Sequence, residues 1–334
     1  MSLETWIAKI LLTFVVSFVG VFLGLLYKGF DRKITAMMQA RIGPPLRQPF
    51  RDVKKLFMKE TIIPDTAIPW LFNFAAIVSL IAPLIALVYL PFGPFEPIME
   101  GYGDLILILY LLAIPAVAMA LGGLSSGSPY ATVGAQRELV LMMSYEFPLA
   151  IAAVTLAYKF NTFSLATISS QPVWNTVGAM GGMGFILILG ALFAVIPGEL
   201  SKVPFDQAEA ETELAGGLFV EYSGRNLGIF YIAEVVKMIV VGALLIALFF
   251  PHNLSTWYNF GGPMINGMML WNVIADLAFF LFKLLIIIYV AVSVVRVAFA
   301  RFQINKASYF YWIPMTIIGL LGTLLVILEG SIAI

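Results

Sequence analysis

Eight apolar stretches, each about 18 to 25 residues long, recur along this chain and constrain it more than any other feature, because each is long enough to cross a hydrocarbon core of roughly 30 Å as a helix. They fall at 5–27, 69–90, 104–124, 138–158, 179–198, 228–250, 271–295 and 311–329. With 61% hydrophobic and only 11% charged residues, the composition is that of a polytopic membrane protein and not of a soluble domain. The fold class is therefore expected to be all-α: one transmembrane helical domain over residues 1–334, with kinked and tilted spans. Pro83, Pro115 and Pro148 lie inside spans, where a missing N–H and a ring clash bend a helix. Gly20 with Gly24, and Gly178 with Gly182, are spaced for close helix approach.

Net charge is zero, but its distribution is not even. The connections 28–68, 125–137, 199–227 and 296–310 carry fifteen of the nineteen Lys and Arg residues, and the intervening connections carry only Lys159. The positive-inside rule places those four connections in the cytoplasm and both termini on the extracytoplasmic side of a plasma or inner membrane. The first apolar stretch lacks a basic leader and is too long for a signal core, so it reads as a retained span. Without cysteine, and with the single histidine His252, this chain can hold no iron–sulfur cluster, thiolate metal site, disulfide or bis-histidine haem. No redox cofactor or metal is expected here, and nothing points to nucleic acid.

Two connections carry the chemistry. Lys28–Glu60 holds nine basic and three acidic residues; Gly43, Pro44, Pro45 and Pro49 suggest a rigid turn, followed by Val53, Leu56 and Phe57 at helical spacing. Beside a membrane, such a segment suits either lipid headgroups or a docked partner. The second, residues 199–226, is acidic: Glu199, Asp206, Glu209, Glu211, Glu213 and Glu221 against Lys202 and Arg225. Helical spacing predicts Asp206, Glu209 and Glu213 on one side of a short helix, where crowded carboxylates hold protons near neutral pH. Within the spans stand Glu146, Glu234, Lys237, Asp276 and Lys283, each costly in lipid. Glu234 with Lys237, and Asp276 with Lys283, are spaced to share helix faces, as ion pairs or as a proton relay. Arg137, Glu138 and Glu199, at span ends, can link that interior to the acidic loop, whereas Asp104 and Glu329 read as interfacial.

These motifs resemble a known family. Arg41-Ile42-Gly43-Pro44-Pro45, followed by Gln48-Pro49, Asp52, Lys55-Leu56 and Lys59-Glu60, is similar to the first cytoplasmic loop of the H-type subunit of respiratory complex I and of membrane-bound nickel–iron hydrogenases. So are Arg137 upstream of Ser144-Tyr145-Glu146, and Glu199 leading into Pro204-Phe205-Asp206, Glu209-Ala210-Glu211, Glu213-Leu214 and Glu221-Tyr222-Ser223-Gly224. The short turn GPPLRQP and Leu141 look more like the hydrogenase branch; Ser201-Lys202 stands where the family has Asn-Arg, keeping the positive charge but not the bidentate fork, and these departures together weigh against a quinone-binding role.

The resemblance implies a non-catalytic membrane anchor of an oxidoreductase complex, coupling electron transfer to proton or sodium pumping. Its partners would be iron–sulfur and catalytic peripheral subunits on the cytoplasmic side and antiporter-like membrane subunits, within the lipid bilayer. Iron–sulfur clusters, and in the hydrogenase branch a nickel–iron centre, would sit on those partners. Glu146, Glu199 and Glu234 would be coupling acids, with Asp206, Glu209, Glu211, Glu213 and Glu221 as loop acids. Arg41, Arg137, Lys202 and Arg225 would orient the loops, and Gln48, Asp52, Lys55 and Glu60 belong to the docking segment. A sulfur-reducing relative, a quinone-reducing complex I and, from a different class, an autonomous secondary transporter are the alternatives.

Overall fold

The computed structural model describes residues 3–101, 103–261, 263–265 and 268–332. Eight helices among them are long and apolar enough to cross a membrane. The chain begins with α1 (Leu3–Met38), followed by the short α2 (Gln48–Met58), α3 (Pro69–Val88), α4 (Asp104–Ser125) and α5 (Pro129–Phe160). Two short helices, α6 (Leu165–Ser170) and α7 (Val173–Thr176), lead into α8 (Ala179–Glu199). A loop holding the single turn α9 (Glu211–Leu214) precedes α10 (Gly224–Phe249). A two-residue hairpin, β1 (Met264–Ile265) with β2 (Met268–Met269), stands before α11 (Leu270–Ile288). A π-helical stretch, Tyr289–Val294, joins α11 to α12 (Val295–Ala298); α13 (Ile304–Phe310), a second π stretch and α14 (Thr316–Ile332) end the chain.

α10 is the axis. Its apolar stretch is 89% buried, against 22% for α1 and 28% for α14. From Met238 to Phe249 every residue is buried, and none is charged or hydrogen-bonding at its side chain, so this half can be enclosed by helices on all sides without loss. Gly24 lets α1 approach α10 closely, since a Cβ there would lie 2.6 Å from the Val235 carbonyl oxygen. The close contact of α8 with α14 rests on Gly184 and Gly322, each packed on the other's backbone, and not on Gly182, which has open space beside it. Gly178 serves differently: its N–H, with that of Gly181, donates to Glu329 at 2.9 and 2.6 Å, so Glu329 satisfies the first turn of α8.

Helix boundaries depart from the apolar stretches where polar residues find partners. α1 runs eleven residues past Tyr27 and at 36 residues is about 54 Å long, so its end rises beyond the bilayer core. Residues 28–38, expected as loop, are thus helix. α5 likewise starts at Pro129, nine residues before its apolar stretch. Pro49 does not extend the non-helical turn; it occupies the first turn of α2, where its missing N–H costs nothing. The side of the bundle carrying α2 and the loop before α10 is its basic face; an even number of spans leaves the outer ends of the first and last spans on the opposite face.

Candidate functional site

The extension of α1 presents Lys28, Asp31, Arg32 and Thr35, spaced at one and two turns, toward the bundle. Lys28, Asp31 and Thr35 are buried. The Lys28 ammonium lies 2.5 Å from Glu234 of α10 and 3.9 Å from the centre of the Tyr231 ring. The other carboxylate oxygen of Glu234 is held by Lys202, so one glutamate sits between two lysines. Asp31 accepts from Ser293 at 2.7 Å and faces Arg296 at 3.4 Å. The π-helical stretch that ends in α12 brings Ser293 to this carboxylate. Arg32 reaches outward to Asp52 of α2 at 2.7 Å, and Gln48 donates to the same carboxylate at 2.9 Å.

The acidic loop does not form one short helix. A single 3₁₀ turn at Gln207–Glu209 and the turn α9 are separated by the extended Ala210, so Asp206, Glu209 and Glu213 point to three different places. Arg301 takes Asp206 in a two-pronged grip of 2.8 and 2.6 Å. Arg137 takes Glu213 at 2.6 Å and also donates to the Gln207 carbonyl at 3.3 Å. Glu209 turns inward, lining both voids described below. Phe205, packed against Phe302, Phe310 and Tyr311, pins the loop to the bundle. Burial, with Lys28 nearby, pushes the Lys202 ammonium down to about 7, and burial raises the Glu209 carboxyl above its ordinary range.

Deeper in lie Glu199, at the end of α8, and Lys237 of α10, 2.7 Å apart with side chains 2% and 4% exposed. Neither atom meets its partner along a hydrogen-bonding direction, so the pair is held by charge alone and retains unused donor and acceptor capacity. Ser201 donates to the buried Glu138 of α5 at 3.3 Å. Two turns further along α5, the Oε1 atom of Glu146 is buried without a hydrogen-bond partner.

Two voids border these groups. One of about 520 Å³ opens at the basic face between Lys28, Asp31, Lys202, Asp206, Glu211 and Arg301. A second of about 140 Å³ lies inside, and Glu199 and Lys237 line it. Ser201, Glu209, Tyr231 and Glu234 line both. Ser79 and Tyr231 add buried hydroxyls without a protein partner to the wall of the inner void. A cavity of this size that presents several unpaired donors and acceptors among apolar side chains is a place for water. Beyond Glu199 the character changes: the next void, about 30 Å³, is lined otherwise by aliphatic side chains such as Leu192, Leu245 and Leu248.

Several residues that stand out in the sequence have other settings. Neither same-helix pair forms: Glu234 is paired from α1 and the loop, Lys237 from α8. Asp276 and Lys283 lie toward the opposite face. Asp276 accepts from the backbone and hydroxyl of Ser255 at 2.7 and 2.6 Å, and Lys283 donates to the carbonyls of Phe250 and His252 at 2.7 and 2.9 Å. Both tie down the segment after α10. On the basic face Lys55, Glu60, Arg225 and Glu211 are exposed, Glu221 is half-buried, and the Arg41 guanidinium hydrogen-bonds Gln39. Arg41 and Arg225 therefore do not hold the acidic loop; Arg301 does. Asp31, Arg296, Arg301 and Tyr231 join the site without belonging to any motif read from the sequence. The spacing of 28, 31, 32 and 35 was the available signal for Asp31; nothing local marks Arg301, which is ninety-five residues from Asp206. Among the described residues no group of three or more His, Asp and Glu is arranged to hold a metal ion.

A family model described as NADH dehydrogenase matches residues 9–327. The chain belongs to that family. Its relatives include the H-type subunit of the NADH-quinone oxidoreductase of Syntrophotalea carbinolica, 32% identical over 88% of this chain and 87% of the relative. Hydrogenase-4 component C of Escherichia coli K12 is 35% identical over 68% of this chain and 70% of the relative. Among solved structures, the membrane-bound sulfane sulfur reductase, an archaeal respiratory membrane complex, contains a chain with a TM-score of 0.81 and 30% identity. That match covers 97% of this chain and 100% of the other. The family match itself reaches from the first span into the last.

Proposed function

We propose that this chain is the membrane-anchor and coupling subunit of a multisubunit, redox-driven ion-translocating complex, with proton transfer along the buried acid–base series as its own part of the work. The observation that carries this reading is the Glu199–Lys237 pair: charged, almost fully buried, and lining an inner void that shares Glu209 and Glu234 with the void open at the basic face. A proton reaching Glu199 removes its attraction for Lys237, and a change on Lys237 is felt in turn by the carboxylates around it. Electron transfer on partners docked at the basic face would drive such changes through the loop held by Arg137 and Arg301. In this reading the basic face is cytoplasmic, by the positive-inside rule, and the iron–sulfur and catalytic subunits bind there.

An autonomous transporter needs a polar way through to the other side. Within the described residues of α10, positions 238–249 are apolar and buried, and the void beyond Glu199 is walled by aliphatic side chains. This supports lateral hand-over to neighbouring membrane subunits, with Glu146 as the acid at that end. The test is to measure ions translocated per electron in the assembled complex in sealed vesicles. Glu199→Gln and Glu146→Gln should lower that ratio while redox turnover and assembly persist; an unchanged ratio in both would overturn the reading.

A membrane-bound hydrogenase is the branch favoured by the short GPPLRQP turn and by Leu141. A sulfur-reducing complex is the second reading, favoured by the end-to-end match to the sulfane sulfur reductase chain. Nickel and iron content of the complex purified through this subunit separates them: nickel with iron selects hydrogenase, and iron alone selects the sulfur-reducing branch.

A further inference from the structure

α2 is amphipathic, and only one of its faces is used by the protein. Pro49 is buried, and Phe50, Val53 and Leu56 are half-buried on the side turned to α1 and α10. On the other side Arg47, Arg51, Lys54 and Lys55 fall on one stripe at helical spacing, and all four are exposed. Met58, 77% exposed, continues that stripe. No carboxylate lies within ion-pair distance of any of these four cations among the described residues, and Asp52, the acid on this helix, is taken by Arg32. Four like charges on two and a half turns repel one another unless something external neutralises them.

The depth of α2 says what that is. Its Phe50 ring lies 5.5 Å from Phe22, which is well inside the apolar stretch of α1. At its other end Phe57 packs on Gly228, where the apolar stretch of α10 begins. The helix therefore lies flat across the ends of two spans, at the bilayer surface and not above it. Phe57 and Ile62, 48% and 63% exposed, give it apolar flanks suited to the headgroup–acyl boundary.

We propose that the outer face of α2 binds anionic phospholipid headgroups, with Arg47, Arg51, Lys54 and Lys55 as the phosphate-binding cations. The arginines can take phosphate oxygens in pairs, and the lysines add point charge. Bound lipid would hold α2, and through the Asp52–Arg32 pair the extension of α1 that carries Lys28 and Asp31. The inference stands apart from the coupling role, since it needs only the membrane and this helix.

The test is binding of headgroup-labelled phosphatidylglycerol to the assembled complex in neutral detergent, with labelled phosphatidylcholine alongside. The wild type should retain phosphatidylglycerol in preference, and neutralising Arg47, Arg51, Lys54 and Lys55 to Gln should weaken retention roughly five-fold for each charge removed. Lys54→Arg with Lys55→Arg should retain it, which separates charge from folding. Equal retention of the two lipids, or undiminished retention by the neutralised variant, would overturn the proposal. So would loss of peripheral subunits from the neutralised variant with lipid retention intact, because the stripe would then be a protein interface.

Discussion

The two ends of the bundle hold intramembrane charges that look alike in the sequence and differ in what they meet. Near the basic face, Glu234, Lys237 and Glu199 find charged partners on other elements, beside voids large enough for water. Toward the opposite face, Asp276 and Lys283 find backbone groups and the Ser255 hydroxyl, which fix a loop. A charge whose partners are amides has one stable arrangement. A charge whose partners can themselves gain or lose protons has several, and those are the states a coupling device needs. Cost in lipid therefore marks a residue as purposeful without saying which purpose.

The largest effect is expected at Glu199. Glu199→Gln leaves Lys237 buried without a counter-charge, which should destabilise the chain by about 3–5 kcal/mol and abolish most ion translocation. Adding Lys237→Met should restore the thermal midpoint but not the translocation; recovery of both would make the pair scaffolding. A smaller effect belongs to the other end. Asp276→Asn or Lys283→Met should cost about 1–3 kcal/mol, through unpaired backbone groups after α10, and leave ions per electron unchanged. A fall in that ratio would extend the relay across the bundle and make the two ends alike.

Glu146→Gln should lower translocation without a measurable loss of stability, since no partner of its buried oxygen is left behind. A destabilised variant would instead reveal a structural bond to Glu146. The mildest effect concerns pH. Lys202 is pushed down to about 7, so its charge is present below neutrality and lost above it. Its folded value lies below the unfolded one, so burying it costs stability at acid and neutral pH, and that cost falls away as pH rises from about 7 toward the ordinary lysine range. Lys202→Arg keeps its charge throughout that window. Coupled turnover of the wild type should change across neutrality, and the variant should follow a flatter profile there; identical profiles would remove Lys202 from the mechanism.

The spans were legible because each is an unbroken apolar run, and lipid permits little besides a helix for such a run. That Pro83, Pro115 and Pro148 lie inside spans was legible for the same local reason. Helix ends were less so: α1 continues through Lys28, Asp31, Arg32 and Thr35, and α5 begins well before its apolar run, because polar turns stay helical when packed neighbours take their side chains. Of the site, Glu146 and Glu234 were visible as charges in costly places, Glu199 as an acid at a span end, and Glu209 only as one of the loop acids. Their partners were not, since Lys28 meets Glu234, and Arg301 meets Asp206, across long separations in the chain.

Eight membrane crossings and the set of connections that share the basic face can be read from the chain alone. Those properties depend on the sum of transfer free energies along each segment, which is local and additive. That Lys237 pairs with Glu199 and not with Glu234, that the three loop acids separate, and that Asp276 and Lys283 secure a loop all follow from how the helices pack. Ion pairs depend on which side chains the packed helices bring within a few ångströms of each other, and spacing along one helix sets only half of each pair.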